Sequence, residues 1–578
     1  MGKTNYNDGE IMNTGGMAKV AAVQFETGTD VDENLATCLR MIDQAALQQP
    51  DIVVLPEFCN HLSWYDDDDH AWRVAVPEGG EFLAAVAARA ARHQCYIVIN
   101  VSCQRTAPAI TVTSFLFGPD GSTVSQSDKQ TLMGHENDYF VRADSVSPVV
   151  VTPFGQLGIF PCRDGVTCET PRGLALRGAQ LFCDSLNSFA LDEASLHIPA
   201  RAPENKVFLV AANKVGPLIP RPLLEPVSEA TRIPLKFLMG AGESQIVAPD
   251  GSILAKGPLD EEAVVIAEIN LADSNSKLRP DGTDLFLSRR PELYSDIVKA
   301  PEGEYCGPAA ETAEVAIINP QADGEAAIAE VIEAIALLND DIQLVVLPEL
   351  FCFANALVTD VEQAVQLSVS AIAQLQQACS GALHIATTLV EQHATGTAHT
   401  GLLINSEGVV ARQPQLHSIA RHSWATPGDQ LHTVDLSWGK VAIITGDDAV
   451  YPELIKVAAL RGVHAIIVPF DLQEAWEIEF GLLSRAAENR LCVIAASRQR
   501  PQGGGVICSL ERDFTILTEW KERAFDGNIN YPIITLQAKD TIVTTATIHP
   551  NAAANKVMSA NTDLLQQRPW QLSGRLVE

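Results

Sequence analysis

Short apolar runs alternate with segments of helical length along most of the chain. The first two runs, AKVAAVQF at residues 18–25 and DIVVLPEFC at residues 51–59, enclose one such segment. Short runs rich in valine and isoleucine are typical of buried strands, and their alternation with helices indicates βα units. The pattern therefore predicts an α/β fold.

The same pattern returns in the second half of the chain. AEVAIINP at residues 313–320 and DIQLVVLPELFC at residues 341–352 repeat the opening pair, and residues 155–182 match residues 439–466. Matching positions lie 284 residues apart: Glu169 with Glu453, Arg177 with Arg461, Arg201 with Arg485, Glu204 with Glu488, and Asn205 with Asn489. An offset held over so many positions indicates a tandem duplication.

The duplication divides the chain into four segments. Residues 1–17 are polar and lack the apolar centre of a signal peptide, so they are predicted to be a disordered leader. Residues 18–298 and 313–578 are predicted to be two domains of ordinary size. Residues 299–312 contain Pro-Glu-Gly and Gly-Pro sequences and are predicted to be the linker.

Net charge and cysteine pattern exclude some classes of binding partner and of site. The 578 residues carry 40 basic against 72 acidic side chains, a formal net charge of −32. Such a charge argues against binding to nucleic acid or to anionic membranes, and no run approaches the roughly 18 apolar residues of a membrane span. The 12 cysteines include no CxxC pair, so neither a disulfide framework nor a metal site is indicated, and reduced thiols suit a cytoplasmic location.

Three residues of the first copy carry the candidate chemistry: Glu57, Lys129 and Cys162, each on its own strand-like segment. In the second copy Glu349 keeps the glutamate, but Gly446 stands at the cysteine position and the corresponding segment has no lysine. Residues that a fold needs should persist in both copies, whereas residues that a reaction needs can be lost from one. The comparison predicts an active first domain and a catalytically inactive second domain.

A cysteine nucleophile explains why these residue types occur together. A free thiol is mostly protonated at neutral pH, so it needs a base or a positive neighbour, and Glu57 and Lys129 can supply both. Attack by Cys162 on an amide carbonyl would create an oxyanion, which Lys129 and a backbone N–H such as that of Arg163 could stabilise. Glu57 would then protonate the departing amine and activate water to hydrolyse the thioester.

Each residue also has an ordinary interpretation. A single cysteine is usually a packing residue, a glutamate after a strand is usually solvated, and a lysine in DKQT is usually a surface charge. The ordered combination, lost in part from the second copy, favours catalysis. A Cys-His alternative would need His61, His135 or His197, none of which carries a protease signature.

The segments around the three residues resemble the nitrilase, or carbon-nitrogen hydrolase, superfamily. LPEF around Glu57, DKQTLMGHE around Lys129 and GIFPCRDGVTCETPR around Cys162 follow the family signatures in order. The resemblance covers nearly the whole chain as two domains. It implies a four-layer α-β-β-α sandwich for each copy, an intramolecular pseudo-dimer, further association into homo-oligomers, a small-molecule substrate, and neither cofactor nor metal.

The resemblance also assigns supporting residues. Glu136 is expected to orient Lys129 or the substrate, and its ordinary interpretation is a surface loop acid. Asp164 is expected to secure the turn that exposes the cysteine, and Arg163 to bind the oxyanion or pair with a substrate carboxylate. Cys168 departs from the family pattern, which has proline at this position. Residues that persist in both copies, including Glu169, Arg177, Glu204 and Asn205, are predicted to be structural.

The reaction class stays open between alternatives. True nitrilases usually follow the cysteine with Trp-Glu, whereas amide and carbamoyl hydrolases more often have an aspartate two residues later, as Asp164 is here. An amidase or N-carbamoyl amidohydrolase is therefore favoured, with a nitrilase as the alternative. A non-catalytic binding or scaffold protein is the alternative of another class.

Two further segments have competing interpretations. Residues 215–240 are an insert in the first copy, rich in proline and leucine, and could form a lid or an arm that packs against the second domain. The acidic run from Asp66 to Asp69, beside His70, is interpreted as a solvated face and not as a metal site.

Overall fold

The computed structural model describes residues 16–394 and 396–578 of the chain. The expected disordered leader, residues 1–17, lies outside the described residues except for its last two positions. Met17 is the first residue of a strand, so the ordered first half begins one residue before the boundary that the sequence suggested.

The first half follows the predicted alternation of strands and helices. Its strands are β1 (Met17–Gln24), β2 (Ile52–Val54), β3 (Val76–Pro77), β4 (Tyr96–Gln104), β5 (Ile110–Phe117), β6 (Thr123–Asp128), β7 (Val149–Thr152), β8 (Gly155–Pro161), β9 (Leu181–Ser185), β10 (Phe208–Ala212), β11 (Gln245–Val247), β12 (Ile253–Lys256) and β13 (Ala263–Asn270). Its helices are α1 (Val31–Ala46), α2 (Asp68–Val74), α3 (Glu81–His93), α4 (Glu136–Tyr139), α5 (Arg163–Val166), α6 (Glu169–Leu176), α7 (Ile198–Asn205) and α8 (Leu224–Thr231).

Local sequence explains how the first long helix begins and which face it buries. Asp30 caps α1, because its side chain accepts hydrogen bonds from the N–H groups of Asp32 and Glu33. The buried apolar positions of α1 recur every three or four residues and are Cys38, Met41, Ile42 and Ala45. This spacing gives the helix one apolar face, which packs on a sheet.

Two sheets form the centre of the first half. One has the strand order β13-β1-β2-β4-β5-β6 with β3 beside β4, and the other has the order β12-β11-β10-β9-β8-β7. Val20, Val54, Ile159 and Leu181 pack between the sheets. Helices α1 and α3 cover the outer face of the first sheet, and α6 and α7 cover the outer face of the second.

The second half repeats this architecture. Its strands are β14 (Ala313–Ile318), β15 (Ile342–Glu349), β16 (His384–His393), β17 (Gly396–Asn405), β18 (Gly408–Pro414), β19 (Val434–Leu436), β20 (Gly439–Ile443), β21 (Ala465–Pro469), β22 (Cys492–Ala496), β23 (Val506–Ser509), β24 (Ile533–Leu536), β25 (Val543–Ile548), β26 (Val557–Ser559) and β27 (Thr562–Asp563). Its helices are α9 (Gly324–Ile335), α10 (Val361–Ala378), α11 (Pro452–Leu460) and α12 (Leu482–Asn489).

The sheets of the second half have the orders β18-β17-β16-β15-β14-β25 and β19-β20-β21-β22-β23-β24, and β26 pairs with β27. Helices α9 and α10 cover the first of these sheets, and α11 and α12 cover the second. The four-layer α-β-β-α sandwich predicted for each copy is therefore confirmed. No helix in residues 16–394 or 396–578 is both long and apolar enough to cross a membrane.

The two halves pack against each other through α6 and α7 of the first half and α11 and α12 of the second. A buried cluster of four charged side chains lies in this interface. Nη2 of Arg201 is 3.0 Å from Oε2 of Glu488, and Arg485 bonds Glu204 in the same way across the pseudo-twofold axis. Such reciprocal contacts are the mark of an isologous interface. The predicted intramolecular pseudo-dimer is confirmed.

Other residues shared by the two copies also meet at this interface. Nζ of Lys456 lies 3.2 Å from Oε1 of Glu169, and Nε of Arg172 lies 3.3 Å from Oε1 of Glu453. All four side chains are buried. Retention of the glutamate in both copies, and of a cation at the Arg172 and Lys456 positions, is explained by these contacts between the halves.

Each half ends in an arm that reaches loops of the other half. Oγ1 of Thr562 accepts a hydrogen bond from the N–H of Gly134 at 2.8 Å, and Oγ1 of Thr283 accepts one from the N–H of Ala420 at 2.8 Å. The two threonines begin the matching sequences TDLL and TDLF. Residues 299–312, between the first arm and β14, contain no helix or strand.

Two inserts break the symmetry of the halves. Residues 215–240 lie between β10 and β11, and residues 510–532 lie between β23 and β24. The sequence comparison found the first insert and missed the second. The inserts contact each other, since the N–H of Trp520 donates to the carbonyl of Thr231 at 3.2 Å. This contact favours the packing arm over a free lid as the interpretation of residues 215–240.

Candidate active site

Three strand ends bring Glu57, Lys129 and Cys162 to one end of the first sandwich. Glu57 follows β2, Lys129 follows β6 directly, and Cys162 follows β8 directly. Nζ of Lys129 lies 2.7 Å from Oε1 of Glu57, and the charges of both side chains act on the Cys162 thiol. The structure thus gathers the three predicted residues, while their catalytic role stays a prediction.

A second carboxylate binds the lysine from another side. Nζ of Lys129 lies 3.0 Å from Oε1 of Glu136, whose Oε2 accepts a hydrogen bond from the N–H of Met133 at 2.8 Å. Burial opposes the charge of Lys129, but the carboxylates of Glu136 and Glu57 outweigh it and raise the lysine pKa above its usual range. The buried ammonium therefore stays charged at neutral pH. This contact is the one expected if Glu136 orients Lys129.

Glu57 is placed to exchange a proton near neutral pH. Burial raises its pKa to about 7, the nearby negative charge of Glu136 adds to the rise, and the attraction of Lys129 offsets part of it. A carboxyl group with such a pKa can act first as a base and then as an acid.

Cys162 has a strained backbone and is the most exposed cysteine in the described chain. Its φ of 44° lies in the left-handed region that residues with a side chain rarely adopt. It is partly exposed, whereas the other cysteines are all buried. Burial and the charge of Glu57 raise the pKa of the thiol well above its usual value. The sulfur therefore rests as a thiol and needs a base to become a nucleophile.

Asp164 ties the turn that carries Cys162 to the loop that carries Lys129. Its two carboxylate oxygens accept hydrogen bonds from the N–H groups of Gln130 and Thr131, at 2.8 and 2.7 Å. The aspartate thus fixes the distance between the thiol and the ammonium, which agrees with the structural role expected for it.

Arg163 is buried beside the nucleophile. In the described part of the chain, its Nε and Nη1 atoms have no hydrogen-bond partner. Burial lowers its pKa, while the charges of Glu169, Asp164 and Glu193 act in the opposite direction. Its oxyanion and substrate-binding roles stay predictions.

Two buried groups at the site were not found from the sequence. Nζ of Lys214 donates to the carbonyl of Phe58 at 3.0 Å, and burial lowers its pKa to about 8. Burial and the charge of Asp192 raise the pKa of Glu193 to about 8. Lys214 could have been found, because Arg498 keeps a cation at the same offset in the second copy.

The three histidines of the Cys-His alternative and the acidic run from Asp66 to Asp69 make other contacts. Nδ1 of His61 lies 2.7 Å from the carbonyl of Leu62, and Nε2 of His135 lies 2.5 Å from the carbonyl of Ser63. Burial lowers the pKa of the third histidine, His197, to about 3. In the acidic run, Asp67 caps α2 and Asp66 pairs with His70 at 3.2 Å.

The corresponding site of the second half keeps the backbone arrangement but has different side chains. Asp448 accepts hydrogen bonds from the N–H groups of Leu416 and His417, just as Asp164 does from Gln130 and Thr131. This shared pattern aligns the second half with the first residue by residue. It sets Gln415 at the lysine position, His422 at the position of Glu136, and Gly446 at the cysteine position.

The retained glutamate of the second half is held in a new way. Nη2 of Arg421 lies 2.6 Å from one oxygen of Glu349, and Nε2 of His422 lies 2.9 Å from the other. Although burial opposes ionisation, these groups lower the pKa of Glu349 to about 2. A carboxylate ionised at every ordinary pH cannot serve as a proton acceptor near neutrality.

Comparisons with known proteins match the first half of the chain. Residues 19–277 match the family model of the carbon-nitrogen hydrolases. A nitrilase of Pyrococcus abyssi is 29% identical over 48% of this chain and 99% of its own length. An N-carbamoylputrescine amidase of Solanum lycopersicum is 26% identical over 48% of this chain and 94% of its own length.

Among solved structures, an amidase of Nesterenkonia sp. covers 49% of this chain and 97% of its own, with 20% identity and a TM-score of 0.39. The Caenorhabditis elegans NitFhit protein covers 51% of this chain and 71% of its own, with 22% identity and a TM-score of 0.41. From the match of residues 19–277 to the family model, the first half of the chain belongs to the carbon-nitrogen hydrolases.

Proposed function

We propose that the first half hydrolyses the carbon–nitrogen bond of a small amide through a thioester on Cys162, and that the second half has no activity of its own. One observation carries the proposal: a buried ammonium, Lys129, lies between the carboxylates of Glu57 and Glu136 beside the one partly exposed cysteine of the described chain. Carbon-nitrogen hydrolase relatives of both the amidase and the nitrilase kind support this reaction class.

In the first step, the carboxylate of Glu57 takes the proton of the Cys162 thiol while the sulfur attacks the amide carbon. A carbon–sulfur bond forms, and the carbonyl oxygen becomes an oxyanion. The ammonium of Lys129 and the N–H of Arg163 stabilise this charge in a site largely removed from water. The charged state of Lys129 is maintained by its two carboxylate partners.

In the second step, the oxyanion collapses and the carbon–nitrogen bond breaks. Glu57 gives its proton to the nitrogen, which leaves as ammonia or an amine, and the acyl group remains on Cys162 as a thioester. Water then loses a proton to Glu57 and attacks the thioester carbonyl. Release of the carboxylic acid returns the proton to the sulfur, so the enzyme ends as it began.

Amide hydrolysis is preferred to nitrile hydrolysis because Asp164 follows the cysteine by two residues, where amide and carbamoyl hydrolases of the superfamily often have an aspartate. Nitrile hydrolysis is the second candidate, since the Pyrococcus abyssi relative is a nitrilase. The sulfur of Cys162 would add to the nitrile carbon as it adds to the amide carbon. The two reactions therefore need the same nucleophile, but a nitrile consumes two water molecules on the way to the acid and an amide consumes one.

A nitrogen-release screen tests the proposal. Purified full-length protein is incubated with primary amides, N-carbamoyl compounds and nitriles, and ammonia and acid products are measured. We expect turnover of amides or carbamoyl compounds, and a loss of at least about 10³-fold in Cys162→Ala and Lys129→Met. Cys168→Ala, which changes a buried cysteine nearby in the sequence, is the matched control and should retain activity.

Labelling separates an enzyme from a binding protein of the same fold. A haloacetamide resembles a small amide and should alkylate Cys162, which peptide mapping identifies. Turnover of nitriles alone would replace the amidase proposal with a nitrilase. No turnover and no labelling of Cys162 would favour the non-catalytic alternative.

A further inference from the structure

The second half holds a loop of the first half beside the candidate active site. The N–H of Leu191 donates to the carbonyl of Gly527 at 2.8 Å, and the N–H of Asn530 donates to Oδ2 of Asp192 at 2.5 Å. Both partners in the second half belong to its insert, residues 510–532. The insert is therefore hydrogen-bonded to the loop at two points, both in its last six residues.

This loop reaches the nucleophile. At its start, the carbonyl of Leu186 accepts a hydrogen bond from the N–H of Glu57 at 3.0 Å, and at its end the charge of Glu193 acts on the Cys162 thiol. Residues 187–193 thus lie beside Glu57 and Cys162. A segment that fixes this loop also fixes the surroundings of the thiol.

Aromatic side chains join both inserts to the loop. The ring of Phe525 lies 6.1 Å from that of Phe189, 5.3 Å from that of Phe237 and 4.8 Å from that of Trp520. Phe237 belongs to the first insert and Phe189 to the loop. Partly buried residues of the first half that pack against the same apolar cluster include Trp64, Met133 and Phe189.

The site of the second half is not covered in this way. There, residues 283–288 and residues 415–427 border an open cavity of about 460 Å³, whose lining includes Gln415 and His422 at the positions of Lys129 and Glu136 but not Gly446. Thr562 and Thr283 bond equivalent turns in the two halves, so the arms are common to both sites. The inserts are the feature that distinguishes the covered site from the open one, and they lie at the half that carries the cysteine.

We propose that residues 215–240 and 510–532, together called the insert wall, form one side of the entrance to Cys162 and limit the size of the substrate. The proposal rests on the proposed function only in treating the molecule that enters as a substrate. The position of the insert wall does not depend on turnover. The wall presents aromatic and aliphatic side chains. It therefore selects small, uncharged acyl groups against bulky ones, because a packed apolar wall distinguishes ligands by single methylene groups.

Labelling of Cys162 tests the wall without any substrate. Full-length protein reacts with iodoacetamide and, separately, with a bulky N-aryl maleimide, and the rate at Cys162 is followed by peptide mapping. The measured quantity is the ratio of the bulky to the small reagent rate. We expect Trp520→Leu to raise this ratio at least about tenfold, which is the discrimination that one methylene produces in a shaped apolar pocket.

Trp438→Leu is the matched control. Both tryptophans are buried, and in the described chain neither indole N–H has a hydrogen-bond partner. Trp438 packs between the sheets of the second half, away from the insert wall. Both variants lose similar apolar contacts, so a change in the labelling ratio of Trp520→Leu alone reports the entrance and not general loosening.

A second variant guards against misfolding of the first. A β-carbon on Gly527 would lie 2.5 Å from Cδ1 of Leu191 and 2.7 Å from Cε1 of Phe237, so Gly527→Ala must displace the wall. It should change the labelling ratio while far-UV circular dichroism stays that of the wild type. Ratios equal to those of Trp438→Leu in both wall variants would overturn the proposal.

Turnover then separates this inference from the proposed function. With a series of straight-chain primary amides, Trp520→Leu should raise kcat/KM for longer acyl chains relative to acetamide. A changed labelling ratio in a protein that hydrolyses none of the compounds would support the wall and contradict the hydrolase. Turnover with an unchanged chain-length preference and an unchanged labelling ratio would support the hydrolase and contradict the wall.

Discussion

Oε1 of Glu349 occupies the space into which a side chain at Gly446 would project. A β-carbon on this glycine would lie 2.4 Å from that oxygen, well inside van der Waals contact. Arg421 and His422 hold the carboxylate there from both sides. Loss of the cysteine and repositioning of the glutamate in the second half are therefore one structural change.

Restoring a side chain at this position should damage the second half without creating a nucleophile. Gly446→Ala and Gly446→Cys are expected to lower the free energy of unfolding by about 1–3 kcal/mol, because they overpack a buried site and place a side chain at a φ of 56°. Denaturant titration measures the loss. Gly574→Ala is the control, since a β-carbon there meets nothing within 4 Å. Equal stability of the two alanine variants would contradict this reasoning.

The activity of the first half should have an acid limb near neutral pH. Glu57 accepts a proton only when ionised, and its pKa is raised to about 7 by burial. The ionised fraction therefore falls as the pH drops through about 7, and kcat/KM should fall tenfold per pH unit below it. A pH profile of kcat/KM on the best amide measures this limb. A limb near pH 4.5, the value of an unperturbed glutamate, would show that Glu57 is not the essential base.

Removing the charge of Glu136 should move that limb. The negative charge of Glu136 helps to raise the pKa of Glu57, so Glu136→Gln should shift the acid limb to lower pH. The same change removes one partner of Lys129 and should lower kcat, by roughly tenfold for about 1.4 kcal/mol of lost stabilisation. Asp138→Asn, an exposed acid on the same short helix, should leave both quantities unchanged. A lower kcat with an unmoved limb would limit Glu136 to holding Lys129.

The charged cluster between the halves should be worth far more than a surface pair. Glu204→Gln leaves Arg201 and Arg485 without one of their buried carboxylate partners, and should lower the free energy of unfolding by about 3–5 kcal/mol. Glu268→Gln breaks an exposed pair with Lys19 and should cost less than about 1 kcal/mol. Thermal or denaturant unfolding compares the two variants. Equal losses would mean that the cluster is solvated in solution.

The sequence predicted an α/β fold in two copies because strand and helix periods are local signals and the repeat showed each of them twice. The four-layer sandwich was implied by the family resemblance and not by these periods. It also located Glu57, Lys129 and Cys162, since each follows a strand-like run with a recognisable signature. Lys214 was missed because its contact with Phe58 joins positions 156 residues apart, which no local pattern encodes; the only signal for it in the sequence was the cation kept at Arg498 in the second copy.

The second insert was missed for a different reason. Residues 510–532 follow β23 in a region where the two copies share little sequence, so their lack of a counterpart shows only when the strands are superposed by their order in the sheet. The equivalence of His422 with Glu136 likewise depends on the hydrogen bonds of Asp448 and not on residue identity. Divergent segments keep backbone geometry after side-chain resemblance is gone.

The reciprocal bonds of Thr283 and Thr562 have a consequence for how the protein responds to dilution. In a dimer of separate chains, arms that cross between subunits are lost as the subunits dissociate. Here both arms belong to one polypeptide, so each meets its target at an effective concentration set by the chain and not by the solution. Activity per chain should therefore stay constant on dilution into the nanomolar range.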